Sequence, residues 1–170
     1  DLAMYLAKDD RRNTYRFFDA DLNSLAERRT FLEKQLRGAL DYEQLMVYFQ
    51  PKVAISDGTP VGGEALLRWL HPEQGMVPPS EFIPVAEKTG MIGDLGEWTL
   101  RRACTQFKVW HDAGYEDLVL SVNLSAAQFS LLDVPAMVRR GIEETGFDPT
   151  KLELEITETA VMSDMRNAVD

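Results

Sequence analysis

A chain of 170 residues with 45% hydrophobic and 27% charged side chains has the balance of one globular domain rather than of a disordered segment. Its net charge of −10 falls on residues 36–170, because residues 1–35 are charge-balanced, and an acidic surface argues against general nucleic-acid binding. No apolar run approaches the ~20 residues that cross a bilayer. No basic-then-apolar leader is seen, and the single cysteine, Cys104, has no internal disulfide partner, so a reducing cytoplasm is the expected compartment.

In chain order, residues 1–8 read as the end of a helix and residues 14–18 as a short aromatic strand, a piece too small to bury a core alone. From about Asp21 to Leu40, apolar residues including Leu25, Leu32, Leu36 and Ala39 recur at three- and four-residue spacing, with Glu27, Arg28, Arg29, Glu33 and Lys34 on the other face. Such a helix is a connector, a dimerising seam, or a helix packed on its own domain, and the pattern leaves all three open. After Tyr42 the period shifts to two. Residues 45–53 and 61–67 are predicted strands around an Asp57-Gly58 turn. Pro78-Pro79 opens a short helix to about Glu87, with Ser80 placed to cap it. A longer helix is predicted over 95–113, then a strand over 118–124, a helix over 134–145 ended by Gly146, and a strand over 151–157. Alternating strands and helices imply an α/β fold with parallel pairing and helices outside.

Strands covered on both faces should be apolar throughout. Three of these break the rule alike: Glu64 and Arg68 share one face of their strand, Ser121, Asn123 and Ser125 share another, and Glu153 and Glu155 a third. Each of these alternations alone is what a half-exposed strand shows. Together they put polar groups near the carboxyl ends of successive strands, where α/β folds bind ligands. Two carboxylates and an amide form an all-oxygen set, suited to Mg²⁺ or Mn²⁺ rather than Zn²⁺.

These residues resemble a family. Glu64-Ala65-Leu66-Leu67-Arg68-Trp69 is similar to the motif that names EAL domains. Tyr48-Phe49-Gln50-Pro51, Phe82-Ile83-Pro84-Val85-Ala86-Glu87, Asn123-Leu124-Ser125 and Glu155-Ile156-Thr157-Glu158 match in family order across about 110 residues. Ahead of them, Ala3-Met4-Tyr5-Leu6-Ala7-Lys8 and Arg12-Asn13-Thr14-Tyr15 resemble the last helix and strand of a GGDEF domain, with Arg11 where that family usually has glycine.

The resemblance implies three parts: residues 1–18 as a GGDEF remnant, 19–41 as a linker helix, and 42–170 as the amino-terminal part of an EAL domain. The implied fold is an incomplete TIM-like barrel whose first strand runs antiparallel. A complete TIM barrel takes about 250 residues, so the family's paired aspartates, catalytic lysine and later glutamates are expected beyond the stretch given. The implied activity of the complete domain is metal-dependent hydrolysis of cyclic di-GMP to linear pGpG, and the fragment alone is expected to be inactive. By the same resemblance Glu64, Asn123 and Glu155 are metal ligands for Mg²⁺ or Mn²⁺. Glu64 and Glu158 are the catalytic pair, with Glu158 bracing a later loop. Gln50 and Arg68 contact the dinucleotide, and Pro84 borders a guanine. The alternative is an EAL domain that binds cyclic di-GMP as a receptor without cleaving it. A homodimer is expected, with membrane attachment of the parent only through upstream domains.

The remaining conspicuous residues have plainer readings. His71 and His111 lack a second histidine at ligand spacing and are expected at the surface. Cys104 reads as a small core residue, Trp69, Trp98 and Trp110 as packing, and Glu153 as the partner of a hydrogen bond inside the barrel.

Overall fold

The computed structural model describes residues 20–156. The GGDEF-like stretch 1–18 and the expected brace Glu158 lie outside the described residues. Helix α1 (Ala20–Ala39) leads into β1 (Leu45–Val53), β2 (Pro60–His71) and the short β3 (Gly75–Val77). Helices α2 (Pro79–Thr89) and α3 (Ile92–Asp112) follow, then β4 (Val119–Leu124), α4 (Ala126–Leu131), α5 (Val134–Thr145), a 3₁₀ turn (Pro149–Lys151) and β5 (Leu152–Ile156).

The strand order is β1-β2-β4-β5, with β3 added to β2. β1 runs antiparallel to β2, whereas β2, β4 and β5 are parallel. This is the start of a barrel with its first strand reversed, as the resemblance implied. Helices cover one face of the sheet. On β2 that face carries Gly63, Ala65 and Trp69, and on β4 it carries Leu120, Val122 and Leu124, all buried. Alternation sends Glu64, Arg68, Ser121 and Asn123 to the other face.

Two apolar clusters fill the space beneath the helices. One gathers Leu32, Leu36 and Ala39 of α1 with Trp69, Phe82, Val85 and Leu95. The other joins Ala65, Leu120 and Val122 to Cys104 and Phe107 of α3 and Met137 of α5. α1 therefore packs on its own domain through the first cluster. Leu25, near its start, remains exposed. Arg28 adds polar contacts: Nε and Nη2 each lie 2.9 Å from Glu81 Oε2 on α2, and Nη1 donates to Gln74 Oε1 in the β2–β3 turn.

Glycine is required where β2 meets β4. A Cβ on Gly62 would lie 2.3 Å from the Val119 carbonyl oxygen, so the two backbones approach closer than any side chain permits.

Several sequence expectations need correction. His71 is 2% exposed, not a surface residue. β2 continues past Trp69 because β3 pairs with it, and His71 therefore falls on the helix-facing side. There its Nδ1 accepts from the backbone N–H groups of Glu73 and Gln74, and its ring lies 5.5 Å from that of Phe31. His111 is half-buried, stacked on Phe147 at 5.2 Å with Nε2 2.9 Å from the Leu118 carbonyl. Ser80 caps nothing: α2 begins one residue earlier, at Pro79, where a proline with no N–H to satisfy fits the first turn. The cysteine and tryptophan readings hold. Cys104 and Trp69 are fully buried, and the Trp69 indole donates to Gln44 Oε1 at 3.1 Å.

Candidate functional site

The inner face of the sheet brings most of the expected residues into one layer. Strand register sets Gln50 opposite Glu64, Glu64 beside Ser121, Ser121 beside Glu153, and Asn123 beside Glu155. Asn123 Nδ2 donates to Glu64 Oε1 at 2.6 Å, which leaves the Asn123 amide oxygen as its acceptor toward anything else. Glu64, Asn123 and Glu155 thus sit on three neighbouring strands and face one way.

One residue that sequence reasoning passed over completes this layer. Lys52, on β1, reaches across the face so that Nζ donates to Ser121 Oγ, to Glu155 Oε1 at 2.7 Å and to Glu153 Oε2 at 3.4 Å. Ser121 Oγ in turn donates to Glu153 Oε2 at 2.9 Å, the inward hydrogen bond expected for Glu153. The signal for Lys52 was present as period two, since it follows Gln50 on the same face. Pro51 between them obscured it. The hydrogen bond from Lys52 is the main cause that holds the Glu155 carboxyl below its ordinary value, and the hydrogen bond to Glu155 holds the Lys52 ammonium above its own.

Beside this layer lies an open cleft of about 540 Å³, walled by Arg68 of β2, Ile83 and Glu87 of α2, Gly96 of α3, and Asn123 and Ser125 at the end of β4. Arg68 stacks its guanidinium on the Tyr48 ring at 5.8 Å and donates to its neighbour's carbonyl, Leu67 O, at 2.9 Å. Pro84 is exposed on α2 and is not among the residues lining the cleft. Gln50 is exposed on the inner face. Gln128 lines the cleft with its side-chain oxygen accepting from Ser125 N at 2.8 Å, while its Nε2 and the Ser125 Oγ are buried without a protein partner. Such donors need a ligand or water.

The donor chemistry fits a hard divalent cation. Two carboxylates and an amide share one face, and that face already accommodates a positive charge, the Lys52 ammonium on three oxygens. Among the described residues no group of three or more His, Cys, Asp or Glu side chains surrounds a single point. What is present therefore fits one side of a metal site.

Comparison with known proteins gives the family. The family model described as "EAL domain" matches residues 33–169. This chain belongs to the EAL family. The EAL chain is 44% identical over 164 residues to the bifunctional diguanylate cyclase/cyclic di-GMP phosphodiesterase MucR of Pseudomonas aeruginosa, covering 96% of this chain and 24% of that protein. It is 40% identical over 161 residues to the cyclic di-GMP phosphodiesterase NbdA of the same organism, covering 95% of this chain and 21% of that protein. It thus spans about a quarter or less of these relatives. Among solved structures it superposes on the PaMucR phosphodiesterase in complex with c-di-GMP with a TM-score of 0.78 and 42% identity, covering 82% of this chain and 56% of that one. Among the described residues no helix of the EAL chain is long and apolar enough to cross a membrane.

Proposed function

We propose that the complete EAL domain to which this chain contributes is a metal-dependent phosphodiesterase that hydrolyses cyclic di-GMP to linear pGpG. The observation that carries the reading is the inward-facing set of Glu64, Asn123 and Glu155 on three adjacent strands, beside a cleft walled by Arg68. Relatives named as cyclic di-GMP phosphodiesterases, and a superposable structure solved with c-di-GMP, support the choice of substrate.

Glu64, Asn123 and Glu155 would hold Mg²⁺ or Mn²⁺, which when bound neutralises phosphate charge and makes a coordinated water nucleophilic. The chain's own residues bind and orient. Arg68 offers a planar pair of donors to a phosphate at the cleft edge. Gln50, opposite Glu64, offers an amide to the sugar-phosphate backbone, and the Pro84 segment borders a guanine. The net charge of −10 would repel a dianionic substrate, so bound cations are also what makes it tolerable there. The brace assigned to Glu158 and the division into a GGDEF remnant, a linker helix and an EAL portion belong to the same reading, as does a cytoplasmic setting.

The test is Glu64→Ala in the full-length protein. Loss of a rim ligand should abolish cyclic di-GMP cleavage at saturating Mg²⁺ while circular dichroism shows an unchanged fold. Wild-type turnover by that variant would refute the role. Retained binding of cyclic di-GMP by a wild-type protein that never cleaves it would instead establish the receptor alternative.

A further inference from the structure

The layer beneath the proposed metal ligands holds a charge problem and its answer. Glu153 and Glu155 lie two residues apart on β5 and point to the same face, with Glu64 two strands away on that face. Three carboxylates in one layer repel one another, and a flexible glutamate with no partner samples several rotamers. Lys52 reaches this layer from β1, which lies on the far side of β2 and runs antiparallel to it. Its ammonium is fixed by Ser121 Oγ, whose side chain belongs to a residue with no exposed surface, and by Glu153; its third bond, 2.7 Å long, is to Glu155.

We propose that Lys52 is a positioning residue: anchored by Ser121 and Glu153, it holds the Glu155 carboxylate toward Asn123 and offsets the repulsion among the acidic side chains of that layer. This inference rests on the reading of Glu155 as a metal ligand. It also assigns work to Glu153, which needs no contact with ion or substrate. Glu153 holds the lysine, the lysine holds Glu155, and only Glu155 faces the ion.

The sign of one measurement separates this role from its opposite. An ammonium that merely competed with the metal for Glu155 would weaken metal binding, so its removal would tighten it. An ammonium that orients Glu155 does the reverse. Groups that orient a metal ligand through a hydrogen bond typically contribute about 10- to 100-fold in affinity. The experiment uses the full-length protein and Mn²⁺ alone, with binding read by isothermal titration calorimetry and by the paramagnetic signal of free Mn²⁺. Lys52→Met, which keeps the aliphatic stem and deletes the charge, should weaken Mn²⁺ binding by about tenfold or more. It should raise the Mn²⁺ concentration for half-maximal turnover by a similar factor, and saturating metal should restore most of the rate. Lys52→Arg should rescue most of the loss, and Glu153→Gln should show a smaller loss of the same sign. Thermal melts of each variant report folding separately. Unchanged or tighter Mn²⁺ binding by a folded Lys52→Met variant would overturn the inference and leave the metal-site reading intact. A wild-type protein that binds no Mn²⁺ would overturn both.

Discussion

At the residue scale, alternation decided what the sequence could disclose. Glu64, Asn123 and Glu155 were legible because each stands with another polar residue on one face of a strand whose opposite face is apolar, and the structure places all three on the inner face. Lys52 was not, because β1 offers Met46, Tyr48 and Gln50 on that face and no uniform contrast with the other. His71 misled for a different reason: a histidine before proline reads as loop, yet three residues of β3 were enough to extend β2 and bury it. Cys104 gave no such difficulty, and its environment makes a sharp expectation. Burial in the α3 core pushes its thiol up to about 12, so almost no thiolate exists near neutrality. Native protein at pH 8 should resist labelling by a disulfide reagent, and the thiol should react at once after denaturation in guanidinium. Rapid labelling of the native state would show that α3 opens locally.

At the scale of elements, long periodic segments were read well and short ones were missed. The helix expected over 134–145 is α5 itself (Val134–Thr145), bounded by Asp133, whose carboxylate accepts from Ala136 N, and by Gly146 in the left-handed region. β3, α4 and the 3₁₀ turn went unseen because three to six residues carry too little periodicity to stand out. The close approach at Gly62 of β2 was equally silent, since sequence does not show which backbone will lie alongside. Gly62 supplies the prediction at this scale. With the Val119 carbonyl 2.3 Å from its notional Cβ, Gly62→Ala must push β4 away from β2. Overpacking of that kind typically costs about 1–3 kcal/mol. The urea midpoint should fall accordingly, and because β4 carries Asn123, Mn²⁺ affinity should fall with it. An unchanged midpoint would mean that the two strands separate at no cost.

At the scale of the whole molecule, the path β1-β2-β4-β5 of the described sheet ends in β1 and β5, each hydrogen-bonded on one side. Tyr48 on β1 and Leu154 and Ile156 on β5 are between 37% and 49% exposed, an apolar border of the kind that pairs with another chain. The 170-residue chain studied in isolation should therefore self-associate and fail to cleave cyclic di-GMP with either Mg²⁺ or Mn²⁺. Light scattering together with a product assay tests both, and a monodisperse, active monomer would refute them. Elsewhere in the fold, the Arg28 fork fastens α1 to two places at once, Glu81 on α2 and Gln74 in the turn after β2. An α-helix turns by about 100° and climbs 1.5 Å with every residue. A rotation of α1 by a single position would thus carry Arg28 off both partners and lift Leu32 and Leu36 out of their cluster together. The helix has one angular setting on this domain, and α2, which it grips, is a wall of the cleft. α1 and α2 are thus joined through Arg28 and Glu81 and through the cluster that holds Leu32, Leu36 and Phe82, so the seating of the first helix bears on the wall that the second gives the cleft.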